Sequence, residues 1–202
     1  MKKAPISKLG CALLGLLQQR PASGYALRKI FSTTAMTTYS DSPGAIYPAL
    51  RRLLQQGLIR GSVERGAGMR RRQVFRLTSK GLAELKNWIA LPVTQGDIIR
   101  GLDELMLRFA FSEQAAGPAV TIKLLKSMRG ELSAYIPCLQ QQLQAGRAVM
   151  PTSGRLALEN GIMSYESFLQ WTRHALTTYE QEREKSEKGN KEESSKKRSK
   201  SS

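Results

Sequence analysis

Apolar residues in the first ninety positions fall into short periodic runs separated by turn formers. Ser7 can cap a first helix, apolar on most sides and ending near Gln19. "RPASG" reads as a turn, and Ser23 opens a short second helix, "GYALRKIFSTT". In "SDSPGAIYPALRRLLQQGLIRG", Ser42 is an N-cap and Pro43 takes the first helical position. Ile46, Leu50, Leu53 and Leu54 then recur on one helical face. The opposite face carries Gly44, Pro48, Arg51, Arg52 and Gln55, with Tyr47 on its flank. Gly57 is the stop. Pro48 crowds the carbonyl four residues back and has no amide to donate. We therefore expect an irregular first turn from Pro43 to Tyr47, with the regular helix starting close to Pro48.

Two strand patterns follow, "LIRGSVE" and "RRQVFRLT", joined by the Gly-rich "RGAGM". Phe75 and Leu77 share one strand face; Arg72, Val74 and Arg76 share the other. Thr78 can cap a helix that ends before Pro92. Helix, helix, helix, strand, turn, strand, helix is the order of a winged helix-turn-helix. In that architecture the third helix enters the major groove and the hairpin is the wing.

Beyond Pro92 the pattern changes. "RGLDELMLRFAF" is a short apolar helix, and Gly117-Pro118 breaks the chain. Leu125, Met128, Leu132, Tyr135 and Leu139 repeat at 3-4 spacing in a helix over about 119–145, where Pro137 is a kink candidate. Leu158, Ile162, Tyr165, Leu169, Thr172, Leu176 and Tyr179 do so in another, from Leu156 to about Arg183. That second seam reads as a dimerisation surface. After Tyr179 no aliphatic or aromatic residue follows, which predicts a disordered tail. The expected fold is mainly α with a small β-hairpin. A winged helix-turn-helix domain occupies 1–91, a helical dimerisation domain 92–182 and a basic tail 183–202.

Charge sharpens this picture. The 202-residue chain carries a net +16. Residues 1–90 hold 16 Lys and Arg against 3 acids, 91–182 hold 8 against 9, and the remainder hold 8 against 4. The positive charge thus sits mostly where the winged helix is expected, and it points to a polyanion. Arg65, Arg70, Arg71 and Arg72 crowd the wing, suited to phosphates or a minor groove. Arg51 and Arg52 can pair with guanine or phosphate, and Tyr47 can pack on a sugar or thymine methyl. Free amides near Ser42, Pro43 and Gly44 favour a phosphate. Tyr25 reads as structural.

The one histidine, His174, lies within the seam-bearing helix, and no metal-spaced cluster or phosphate loop is present. The sequence therefore reads as a non-enzyme without cofactor or metal. Cys11 and Cys138 give no disulfide framework. The start, "MKKAPISKLGCALLGLL", lacks a cleavage site, and no apolar run is long enough to span a membrane. A cytoplasmic protein is the expectation. Trp88, Tyr165, Phe168 and Trp171 could line an effector cavity, although aromatic residues at such spacing usually form core or interface.

"LGLLQQRPASGYALRKI", "SPGAIYPALRRLLQQGLIRG" and "RRRQVFRLTSKGLAEL" together resemble the PadR family of transcriptional regulators, over roughly residues 9–91. Met69 in "GMRRRQ" departs mildly from that pattern, which has a small residue or proline there. The resemblance implies a dimeric repressor on double-stranded DNA, in some members released by phenolic or other aromatic ligands. A dimer suits an inverted-repeat operator. A MarR-like regulator and an RNA-binding winged helix are the competing readings.

Overall fold

The structure, a computed structural model, describes residues 6–33, 43–65 and 71–199, the last stretch by backbone alone from residue 184. The elements run α1 (Lys8–Gln19), β1 (Ala22–Ser23), α2 (Gly24–Thr33), α3 (Pro43–Gln55), β2 (Ile59–Arg65), β3 (Arg71–Leu77) and α4 (Ser79–Ile89). Then come α5 (Gln95–Arg100), α6 (Leu102–Ala116), α7 (Pro118–Gly146) and α8 (Thr152–Ser199). Among the described residues no helix is long and apolar enough to cross a membrane.

Caps fall where side-chain chemistry favours them. Ser7 Oγ accepts from Gly10 N at 3.2 Å and opens α1. Ser23 Oγ accepts from Ala26 N at 3.2 Å over the first turn of α2. Thr78 Oγ1 accepts from Gly81 N at 3.0 Å and opens α4. Gly57, at φ 68°, ends α3: its amide reaches Leu54 O while Leu58 N reaches Leu53 O, both at 2.9 Å. That pairing is a Schellman motif, and its left-handed residue favours glycine.

These elements assemble a winged helix. Leu13, Leu14, Leu27, Phe31, Ile46, Leu50, Leu58 and Leu85 fill its core. The sheet order is β1-β3-β2, all antiparallel, with Gly61 opposite Phe75 and Arg65 opposite Arg71. The short strand β1 lies within "RPASG", which the sequence reads only as a turn. It pairs Ala22 with Phe75 and Ser23 with Val74. Two residues are too few to show a strand period, so only the partner strand defines it.

Four other expectations need correction. First, α3 is helical from Pro43 and has no irregular turn before Pro48. Pro48 forgoes a single helical bond, to the Gly44 carbonyl. Gly44 adds no side chain near the ring, and both residues face solvent.

Second, α5 escaped the sequence reading. Its Thr94 and Asp97 form a capping box: Thr94 N donates to Asp97 Oδ2 at 2.8 Å and Thr94 Oγ1 accepts from Asp97 N. That short spacing was available as a signal.

Third, the chain divides into two compact units, but not by one cut after residue 91. Met1–Leu91 joins Asp103–Gly117, and Pro92–Leu102 joins Pro118–Ser202. Most of α6 therefore belongs with the winged helix. Phe111 presses its ring on Gly15 of α1, where no side chain would fit. Buried Arg108 donates through Nη2 to the carbonyls of Ile89, at 2.9 Å, and Leu91. Ile89 ends α4 and Leu91 lies just beyond it, where a cation complements the helix dipole. Lys8 meets Glu104 at 3.0 Å.

Fourth, α8 continues through Ser199, past the point where disorder was expected. Lys and Glu, frequent in the tail, are good helix formers.

In the second unit α7 and α8 form an antiparallel hairpin. Lys126 meets Glu180 at 3.4 Å, and Gln140 Nε2 donates to Glu166 Oε1 at 2.9 Å. The rings of Tyr135 and Tyr165 meet edge to face, 5.3 Å apart. The seam expected to mediate dimerisation packs in large part within the single chain. Ile162, Leu169, Thr172 and Leu176 are buried within the single chain, while Leu158, Tyr165 and Tyr179 are half-buried. Met128, Leu132, Ile136 and Leu139 of α7 are buried as well. An apolar stripe requires a partner surface, and the neighbouring helix supplies it. Pro137 stands inside α7 without ending it.

Candidate nucleic-acid interface

The apolar face of α3 anchors the helix. Ile46, Ala49, Leu50 and Leu53 are all buried, and Leu54 is half-buried. With 3.6 residues per turn, that face leaves Gly44, Tyr47, Pro48, Arg51, Arg52 and Gln55 outward, and all of them are exposed. Both ends of the helix are held. Ile46 is locked in the core near the start, and Lys80 Nζ donates to Gln56 O at 2.7 Å just past the end.

Tyr47 is 43% exposed, yet it has a defined seat. A side-chain carbon on Gly24 would lie 2.7 Å from Tyr47 Cε1. The bare backbone at the start of α2 is therefore the surface on which the ring rests. Glycine at 24 permits this approach and ties α2 to α3.

On the wing, Arg71 and Arg72 are exposed on β3, and Arg65 ends β2. Arg76 Nη2 donates to Glu64 Oε1 at 2.8 Å. That bond, helped by the charge of Arg76 and Arg72, holds the Glu64 carboxyl below its ordinary pKa. Glu64 is the only acid on the two strands. Ser42 and Arg70 lie outside the described residues, as do the side chains of Pro43 and Arg65.

One exposed aromatic was misjudged. Tyr25 is 65% exposed rather than structural, with the Arg28 guanidinium 5.6 Å from its ring centroid. The signal was present in the helix period: Leu27 and Phe31, spaced i and i+4, define the buried face of α2 and leave Tyr25 off it.

The aromatic residues expected around an effector are divided between the two units. Phe168 and Trp171 pair at 5.4 Å in the helical unit. Trp88 belongs to the other unit, where its indole N–H donates to Glu104 Oε1 at 3.2 Å. Among the described residues no group of three or more His, Cys, Asp or Glu could hold a metal ion. Burial pushes the Cys11 thiol up to about 12, and Glu104 and Glu84 add to the shift. Thiolate chemistry is thereby suppressed at Cys11, while Cys138 is exposed.

A family model described as "Transcriptional regulator PadR-like family" matches residues 13–87. The negative transcriptional regulator PadR of Bacillus subtilis (strain 168) is 28% identical over 100 residues, 50% of this chain and 54% of that protein. The match thus spans about half the length of that curated relative. Among solved structures, the PadR-like transcriptional regulator BC1756 from Bacillus cereus is 25% identical, covering 86% of this chain and 99% of its own, at TM-score 0.38. Bacillus subtilis PadR in complex with operator DNA is 23% identical, covering 85% and 98%, at TM-score 0.39. The matched segment runs from within α1 to within α4 and so takes in α2, α3 and the wing. Over residues 13–87 the chain is thus similar to the PadR-like family of transcriptional regulators.

Proposed function

We propose that this protein is a sequence-specific DNA-binding transcriptional regulator that acts as a homodimer on an inverted-repeat operator, most simply as a repressor. The observation that carries the reading is α3. Its apolar face is buried, and its outward face holds Tyr47, Arg51 and Arg52. Guanidinium forks on an exposed helix suit guanine edges and phosphates, and the wing adds Arg71 and Arg72 for the backbone. The family match over the same elements supports this choice over the MarR-like and RNA-binding alternatives.

Dimerisation belongs to the helical unit in this reading. The faces in question are those of α7 and α8 that the hairpin leaves exposed, including Leu156 and Met163, rather than the internal seam. Release by a small aromatic effector rests on the family resemblance alone.

Selection of bound duplexes from a random pool tests the proposal, with sedimentation of the complex alongside. The expected outcome is an inverted repeat with half-site centres about 34 Å apart, bound by two chains. Selection of structured RNA over duplex DNA, or of an asymmetric site bound by one chain, would refute it.

A further inference from the structure

The wing has two faces of different chemistry. In the pairing of β2 with β3, Gly61 stands opposite Phe75 and Val63 opposite Gln73, while Ser62 stands opposite Val74 and Glu64 opposite Arg72. Directly opposed residues share a face, and successive residues along a strand alternate. One face therefore carries Phe75, Gly61, Val63, Gln73 and Arg71, and the other carries Ser62, Glu64, Arg72, Val74 and Arg76. The second face neutralises itself. Arg76 Nη2 donates to Glu64 Oε1 at 2.8 Å, and Ser62 Oγ donates to the same oxygen at 3.3 Å. Arg72, directly across from Glu64, lies in the field of that carboxylate.

The first face has no such compensation. Phe75 is buried, but the hairpin outruns the core beyond it: Val63 is 67% exposed, and Gln73 and Arg71 are exposed as well. Gln73 has a seat there. A side-chain carbon on Gly61 would lie 2.8 Å from Gln73 Nε2, so the amide lies over bare backbone. Among the described residues no hydrogen bond engages that amide. An exposed apolar side chain, a free carboxamide and a guanidinium in one row suit a surface that offers sugar, base edge and phosphate side by side. The minor groove of DNA is such a surface. We propose that the wing meets DNA through this face alone, with Gln73 as a specificity-determining residue in the minor groove, Val63 against the sugars and Arg71 on a phosphate. This assignment rests on the regulatory reading above and, within it, separates Arg71 from Arg72. In that reading α3 takes the major groove, which leaves the adjoining minor groove to the hairpin of the same unit. A carboxamide can donate to adenine N3 or thymine O2, or accept from guanine N2, so it separates A·T from G·C. A·T and T·A present the same acceptors there. A minor-groove contact thus leaves a signature that a major-groove contact does not.

The test is selection of duplexes from a random pool by the full chain, as parent and as Gln73→Met, which keeps the side chain's length and loses its amide. The parent's motif should include positions that separate A·T from G·C yet accept A·T and T·A equally. Only those positions should lose their preference in Gln73→Met. By fluorescence anisotropy, Gln73→Met should bind the parent's selected duplex about tenfold more weakly and a random duplex almost unchanged. Arg71→Ala should lose about tenfold on both duplexes and flatten the salt slope by about one unit, whereas Arg72→Ala should lose under about twofold. All three side chains are exposed, so the variants' melting curves should match the parent's. An unchanged motif in Gln73→Met, lost preferences that distinguish A·T from T·A, or an Arg72→Ala loss equal to that of Arg71→Ala would overturn the proposal while leaving the regulatory reading intact. Failure of the parent to enrich any motif would refute that reading and this assignment with it.

Discussion

The helices α3 and α8 both carry an apolar stripe at helical spacing, and the stripes have different consequences. In α3 the stripe sinks into its own unit's core and leaves a basic, aromatic face in solvent. In α8 the stripe is buried against α7, and the outward positions are mixed in chemistry. A stripe states that a helix has an apolar partner. It does not state whose chain supplies that partner. Function is read from what the stripe leaves exposed, and that residue set is informative in α3 and uninformative in α8.

The largest expected effect comes from placing a charge in the covered stripe. Leu169→Asp buries a carboxylate between α7 and α8, where an unpaired charge costs several kcal/mol. Thermal melting of the full chain should show a strongly destabilised helical unit. If the variant instead stays as stable as the parent and merely becomes monomeric, the stripe faces a second chain and the comparison fails.

On the outward face of α3 the opposite pattern is expected. Arg51→Ala and Arg52→Ala should leave melting unchanged, because both side chains are exposed. Each should weaken selected-operator binding by on the order of 1–3 kcal/mol if it makes a bidentate base contact. Fluorescence anisotropy on operator and random duplexes checks this. Equal losses on both would reduce the residue to a phosphate contact.

Gly24→Ala sharpens the same point without removing any functional group. The added methyl collides with the Tyr47 ring, which must turn or shift. Operator affinity should fall by about tenfold or less, and pairing with Tyr47→Ala should show the two effects to be non-additive. Fully additive losses would mean that Gly24 does not act through Tyr47.

The smallest effect is expected from truncation after residue 183. No aliphatic or aromatic side chain is lost, so the melting temperature should hold. The net +3 of residues 184–202 should add only a shallow, salt-sensitive contribution to random-duplex binding. A large fall in melting temperature would give the last turns of α8 a packing role.

Much of the winged helix was legible because its signals are local. Ser7, Ser23 and Thr78 each cap by reaching three residues ahead, and Gly57 stops α3 through its own φ. Ile46, Leu50 and Leu53 mark a buried face by spacing alone. The outward arginines follow from that spacing without any knowledge of neighbours. Tyr25 was legible too, from its offset against Leu27 and Phe31, yet an aromatic in a short helix suggests a core residue until the face is counted.

The sequence by itself determined the order of helices and hairpin, the basic N-terminal part and the outward face of α3. Each depends on periodicity or composition within a few turns of chain. Only the tertiary structure decided that β1 exists, because its hydrogen bonds belong to β3. Only it returned α6 to the winged helix, through Phe111 on Gly15 and Arg108 on the end of α4, contacts that span about 20 to 100 residues of sequence. Only it covered the α8 seam with α7. An apolar surface is indifferent to which chain buries it, so its partner is chosen by the packing of the whole unit.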